Sequence, residues 1–111
     1  MLYALLLFED DERRIAKTSE EVGVCIAYAE AMEKAGILVG GERLKPAGEA
    51  TTLKIREGSS VVLDGPYVEA KEQLGGFHLI DVPDLDTALD WAARCPTARV
   101  GRVEVRPIWP R

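Results

Sequence analysis

Between residues 64 and 76 the chain reads DGPYVEAKEQLGG, a stretch that gathers acids, a base and a turn tripeptide between two apolar runs. Lys71, with Glu69 and Glu72 beside it, offers a combination able to work on an acidic substrate. The ammonium clamps a carboxylate while a glutamate takes or returns a proton, chemistry that needs oppositely tuned groups a few ångströms apart. The same three side chains equally suit a short charged helical turn whose ends face water, which is worth little energy. Asp64-Gly65-Pro66 is turn chemistry, because Asp bonds its own following backbone, Gly accepts positive φ and Pro fixes its φ. Such a bend serves either as a lid over a ligand touched by Asp64, Tyr67 and Glu69, or as an arm that reaches a second subunit.

His78 is the only histidine, and it lies inside the apolar run GFHLIDV. Its ring reads either as packing or as the one acid–base group that titrates near neutrality. Arg43 follows the pair Gly40-Gly41, where the backbone lets a ligand approach closely. With Tyr28 and Tyr67 as hydroxyl donors it would complete an anion-binding cavity, ranking ahead of the later Arg102 and Arg106. Cys25 falls on the apolar face of an expected helix and Cys95 precedes Pro96. Both read as packed thiols, since a nucleophilic thiolate needs a cationic neighbour that the sequence does not place. The two have no metal-ligand spacing, and neither glycine pair matches a phosphate or dinucleotide loop, so no metal, disulfide framework or cofactor is expected.

These side chains need a scaffold, and its elements follow from the patterning. Leu2 to Phe8 is apolar on both parities, as in a strand covered on both faces. EDDERRIAK reads as a charged connector, after which Thr18 and Glu21 form a capping box that opens a helix. Val22, Cys25, Ile26, Ala29 and Met32 share one face of it, and Gly36 offers the stop. A strand at 37–44 is followed by a hairpin over 51–64, with Lys54 and Arg56 outward. GFHLIDV at 76–82 makes another strand. Pro83 and Asp84 open a second helix with Leu85, Ala88, Leu89 and Ala92 on one face, ended by Pro96, and GRVEVRPI closes the chain as a strand with Val103 and Val105 inward.

With the hairpin set aside as an insertion, the order strand, helix, strand, strand, helix, strand is the α+β ferredoxin-like arrangement. Right-handed crossovers put both helices on one side of its antiparallel sheet. The strands are nevertheless apolar on both parities, and each apolar side chain left in water forgoes roughly 1.5 to 3 kcal/mol. The expectation is a homodimer packed sheet face to sheet face.

At 111 residues, 47% hydrophobic and 30% charged, the chain fits one domain over 1–111. A net charge of −5 argues against a nucleic-acid partner. No apolar run reaches the roughly 20 residues a bilayer span requires, and MLYALLLF runs straight into EDDE, so a cytoplasmic protein with no membrane partner is expected.

The run DGPYVEAKEQLGGFHLIDVPDLDTALDWAARCPTARVGRVEVRPI resembles the YCII-related family, specifically the branch marked by a D-G-P-F motif, here Asp64, Gly65, Pro66 and Tyr67. Glu69, Lys71, Glu72, Gln73, Leu74, Gly75 and Gly76 match its E-x-K-E-Q-L-G-G, and the similarity extends to GILVGGERL and ATTLKIR. The resemblance implies a dimeric α/β barrel. It is consistent with a cavity, between the sheets or under the 64–76 loop, for a small anionic organic ligand, and with cofactor-free isomerisation or lactone processing. Where the shorter branch carries a His on the first helix and an Asp near the end of the second, this chain has Cys25 and Cys95. The resemblance also implies a second reading, a regulatory or interaction module that docks on a partner such as an extracytoplasmic-function sigma factor.

Overall fold

A computed structural model describes the chain from Met1 to Arg111. Strand β1 (Leu2–Asp10) lies at the middle of the main sheet. It pairs on one side with β5 (Glu72–Asp81) and on the other with β6 (Arg102–Pro107), and β2 (Leu38–Arg43) flanks β5. The order β2-β5-β1-β6, antiparallel throughout, is the ferredoxin-like sheet expected from the element order.

Helix α2 (Ser19–Lys34) begins at the capping box, where Thr18 Oγ1 accepts from Glu21 N at 3.2 Å and Glu21 accepts from Thr18 N at 3.3 Å. It ends at Lys34, with Ala35 as its C-cap before Gly36, whose φ of 75° favours glycine. Helix α3 (Leu85–Arg94) starts at Asp84, which accepts from Thr87 N at 2.8 Å. Cross-strand partners share a face, so Tyr3, Leu5 and Leu7 point the same way as Ile80, His78, Val105 and Val103. That face carries the helices, and the core sits there: Tyr3, Leu5, Ile80 and Val82 against Tyr28, Met32, Ala88, Ala92 and Cys95. On the opposite face Leu2, Ala4, Leu6, Phe77 and Leu79 are only half-buried, and both main helices lie on the other side.

The hairpin appears where expected, as β3 (Thr51–Arg56) and β4 (Ser59–Asp64) in a sheet of their own. Its two-residue turn has positive φ at both Glu57 and Gly58, the geometry that matches strand twist. Lys54 is half-buried and Arg56 is exposed, while Leu53, Ile55 and Val62 on the other face are about equally bare, at 60%, 60% and 57% exposure.

Several expectations need correction. The charged connector after β1 is a short helix, α1 (Asp11–Ile15), because Asp10 accepts from Glu12 N at 3.0 Å and Asp11 pairs with Arg14. The short helical turn offered as one reading of Glu69, Lys71 and Glu72 does not form. Glu72 already belongs to β5, paired with Asp10, so this strand starts four residues earlier than its apolar run. A further short helix, α4 (Thr97–Val100), occupies the stretch after Pro96. On α2, Met32 is buried as expected, but Val22 and Ile26 are 36% and 54% exposed, and Tyr28 takes the place they were expected to fill. Their half of the helix borders a cavity instead of the core.

Candidate functional site

The first turns of α2 stand away from the sheet and leave a cavity of about 270 Å³. Its floor is the helix-facing side of β1, β2 and β5, carrying Leu7, Glu9, Arg43, Gly75 and His78. Val22, Cys25, Ile26 and Tyr28 come from α2, Arg14 and Lys17 from the α1 region, and Cys95 and Thr97 from the bend between α3 and α4.

Glu9 is the most unusual side chain on that floor. It continues the inward parity of Leu5 and Leu7 and is 1% exposed. Its Oε2 accepts from Lys17 Nζ at 3.2 Å, whereas Oε1 has no partner in the chain. Burial of a carboxylate costs several kcal/mol unless it is fully paired, so a buried acid with one idle oxygen is held there at a cost to folding. The same Lys17 Nζ lies 3.9 Å from Cys25 Sγ, which makes an unbroken line of Glu9, Lys17 and Cys25.

Arg14 closes one side of the cavity. Its guanidinium donates to Gly75 O and Leu44 O, each at 2.9 Å, and pairs with Asp11. Gly75 makes this possible, since a Cβ there would lie 2.7 Å from Arg14 Nε. Arg43 joins none of the chain's ion pairs; it is an exposed residue that borders the cavity and also a hollow beside Leu44, Lys45 and Pro46. Of the glycine pair expected to admit a ligand, Gly40 faces open space, whereas Gly41 does not. The space for its Cβ is filled by β5, with Phe77 O at 2.5 Å and His78 Nδ1 at 3.1 Å.

His78 packs edge-on against Tyr28, with ring centroids 5.8 Å apart. Burial lowers its pKa, so the imidazole is neutral at pH 7 and available as a proton acceptor. Tyr28 offers only its ring, because the hydroxyl donates to Trp91 O at 2.7 Å and burial pushes its pKa well above the usual phenol range. Burial likewise pushes the Cys95 thiol up. Cys95 is 2% exposed, as expected of a packed thiol, but Cys25 is only half-buried and has the cationic neighbour that the sequence did not reveal.

Of the residues singled out in the sequence, the cavity brings together His78, Arg43, Tyr28, Cys25 and Cys95 and leaves Asp64, Tyr67, Glu69, Lys71 and Glu72 outside. Glu72 Oε1 accepts from Arg102 Nη1 at 2.7 Å, and Arg102 also lies over the Phe8 ring. Arg106 pairs with Glu104 on the same strand. Asp64, Glu69 and Lys71 are exposed, and Tyr67 is 65% exposed with Lys54 Nζ over its ring. A broader hollow does run under the bend, between Pro66 and Gln73 on one side and Lys45 to Ala50 on the other. Residues that sequence reasoning missed are Glu9, Arg14 and Lys17. Only Glu9 left a signal, as an acid on the buried parity of a central strand. No three His, Cys, Asp or Glu side chains converge to hold a metal ion.

A model of the YCII-related domain matches residues 1–111. An uncharacterised protein of Rhizobium meliloti (strain 1021) is 40% identical over 114 residues, which span 97% of this chain and 92% of that protein. Among solved structures, 5-chloro-2-hydroxyhydroquinone dehydrochlorinase (TftG) from Burkholderia phenoliruptrix AC1100, in complex with 2,5-dihydroxybenzoquinone, aligns with a TM-score of 0.56 over 99% of this chain and 94% of that one. At 16% identity the likeness is one of fold. Since the match runs through every strand of the sheet and every element around the cavity, the chain is a member of the YCII-related domain family.

Proposed function

We propose that the chain works as a homodimer, a dimeric α/β barrel, that binds a small anionic organic molecule between α2 and the sheet and moves a proton on it without a cofactor, as an isomerase or lactone-processing enzyme. The observation that carries this reading is Glu9: a buried carboxylate in a cavity wall with one oxygen on Lys17 and the other idle. A group so costly to bury is retained where it has chemistry to do. Around it, the free guanidinium of Arg43 suits a ligand carboxylate bidentately, and the neutral imidazole of His78 suits a carbon-bound proton. Charge that develops on a carbonyl oxygen is met by the cations of the same wall. The likeness to a dehydrochlorinase solved with a small oxygenated ring supports a cavity of this class in this fold.

The dimer rests on surface. The chain exposes 7727 Å², against about 6,100 Å² for a compact monomer of its 12.2 kDa mass. Its radius of gyration is 15.7 Å, where about 13 Å is usual for this length. In the dimer the 64–71 bend meets the second subunit, where Asp64, Tyr67, Glu69 and Lys71 find neighbours. Glu72 is already held by Arg102 within its own chain.

The test combines binding and exchange. Thermal shift against small carboxylates, keto acids and lactones should find ligands that stabilise the wild type and not Arg43→Ala. Proton NMR in D2O should then show deuterium entering such a ligand beside its carbonyl, more slowly with His78→Gln. If no organic anion stabilises the protein, the reading fails. The bare apolar face of the hairpin favours one alternative, an interaction module for a regulatory partner of the sigma-factor kind. In that case Leu53→Lys or Lys71→Ala abolishes a complex, and cavity variants leave it intact.

A further inference from the structure

We propose that Cys25 is a nucleophile of the cavity, assisted by Lys17 and adding reversibly to the conjugated double bond of an α,β-unsaturated carbonyl acid, which it thereby isomerises between cis and trans. The proposal rests on the reading of the cavity as a site for an organic anion. It deepens that reading by naming the ligand class and the attacking atom.

A reactive cysteine is partly exposed and lies beside a fixed cation, whereas a structural one is enclosed in apolar surroundings. The chain contains one of each. Cys95 is 2% exposed in the core cluster. Cys25 is half-buried, lines the cavity and has Lys17 Nζ 3.9 Å from its sulfur. Lys17 does not swing freely, because its side chain is 16% exposed and is held at 3.2 Å by Glu9, whose side chain is 2% exposed. Nucleophile, assisting group and a carboxylate that orients the assistant is the general pattern of an activated side chain. Glu9 is thus a positioning residue, held in the cavity wall with its second oxygen, Oε1, buried and without a partner.

The ligand class follows from the surroundings. A thiolate is a soft nucleophile that favours conjugated carbon, the walls at Leu7, Val22 and Ile26 suit a carbon skeleton, and Arg43 suits a carboxylate. In the reaction the Cys25 thiol gives its proton to water at the cavity mouth, and the ammonium of Lys17 faces the resulting negative charge. The sulfur lone pair forms the Sγ–C bond at the β-carbon, and the π pair moves to the carbonyl oxygen as an enolate. The former double bond is now single and rotates. Collapse of the enolate restores the double bond, breaks the Sγ–C bond and returns the thiolate. No oxidant, reductant or cofactor is consumed.

The experiment uses the intact reduced protein. Iodoacetamide labelling at pH 7, read by peptide mass spectrometry, should modify Cys25 at least tenfold faster than free cysteine and leave Cys95 untouched. Lys17→Met should abolish the difference and Lys17→Arg should keep most of it, with circular dichroism confirming the fold of both. Incubation with the cis form of 4-oxopent-2-enoate, followed by NMR, should yield the trans acid with the wild type and not with Cys25→Ser. Labelling no faster than free cysteine, or unchanged by Lys17→Met, overturns the nucleophile. Fast labelling without isomerisation overturns the ligand class. The saturated 4-oxopentanoate separates the two levels: if it stabilises the protein while Cys25 is inert, the nucleophile alone falls, and if it does not bind, the reading of an anion cavity falls too.

Discussion

A buried acid is held against its own preference for water, and position 9 allows that preference to be measured. Removal of one member of a buried pair strands the other charge, at roughly 3 kcal/mol or more, whereas replacement of both by apolar groups is often neutral or stabilising. Glu9→Leu should therefore destabilise the protein in urea melts, and Glu9→Leu with Lys17→Met should recover most or all of the loss while ligand binding disappears. Additive losses would mean that the two side chains are not coupled. His78 makes a second case. Burial lowers its pKa, so the unfolded chain binds the extra proton first as the pH falls below about 6.5. Stability contributed by the neutral ring is full above that value and is lost as the pH drops through the unfolded pKa towards the folded one. Urea midpoints at pH 5 and 7.5 should differ more for the wild type than for His78→Phe. The legibility of the site follows the same physics. His78, Arg43 and Tyr28 stood out by type, as a lone titrating ring, a cation after two glycines and a phenol on a helix. Lys17 did not, because its partners at positions 9 and 25 lie eight residues away on either side, and only the α1 turn folds it between them.

Periodicity made the framework readable because each element carried its own start or stop. The capping box at Thr18, the Gly36 stop, the Asp84 cap and the alternating hairpin all appear where the residues place them. The misses lie where tertiary partners override local pattern. Glu72 and Gln73 read as loop, yet pairing with Asp10 and Glu9 extends β5 through them. EDDERRIAK read as a connector because no apolar periodicity betrays a helix pinned by an Arg14–Asp11 pair. Gly41 is the clearest instance of a residue whose role needed the neighbouring strand. It lies in β2 at positive φ, and a Cβ would meet backbone oxygen of β5. Gly41→Ala should destabilise by about 1–3 kcal/mol, read as a lower urea midpoint with an unchanged slope. Gly40→Ala, where a Cβ meets open space, should cost far less.

At the scale of the whole molecule, the ferredoxin-like sheet has helices on one face and apolar residues on both. The roughly 1,600 Å² exposed beyond a compact monomer, if removed from each of two copies, matches the interfaces of obligate homodimers rather than passing contacts. Leu79 lies near the middle of the bare face, between Ala4 of β1 and Gly40 of β2. In a lone chain Leu79→Arg would cost little, because the position is half-exposed and the guanidinium can reach water. In a sheet-to-sheet dimer the same substitution would place two like charges in a desolvated interface across the two-fold axis. Sedimentation velocity at micromolar concentration should therefore show a dimer for the wild type and a folded monomer for Leu79→Arg. The melting temperature of the wild type should rise with protein concentration while that of the variant stays constant. If Leu79→Arg remains dimeric while Leu53→Lys on the hairpin does not, the interface runs through the hairpin arm and the sheet face is covered by something else.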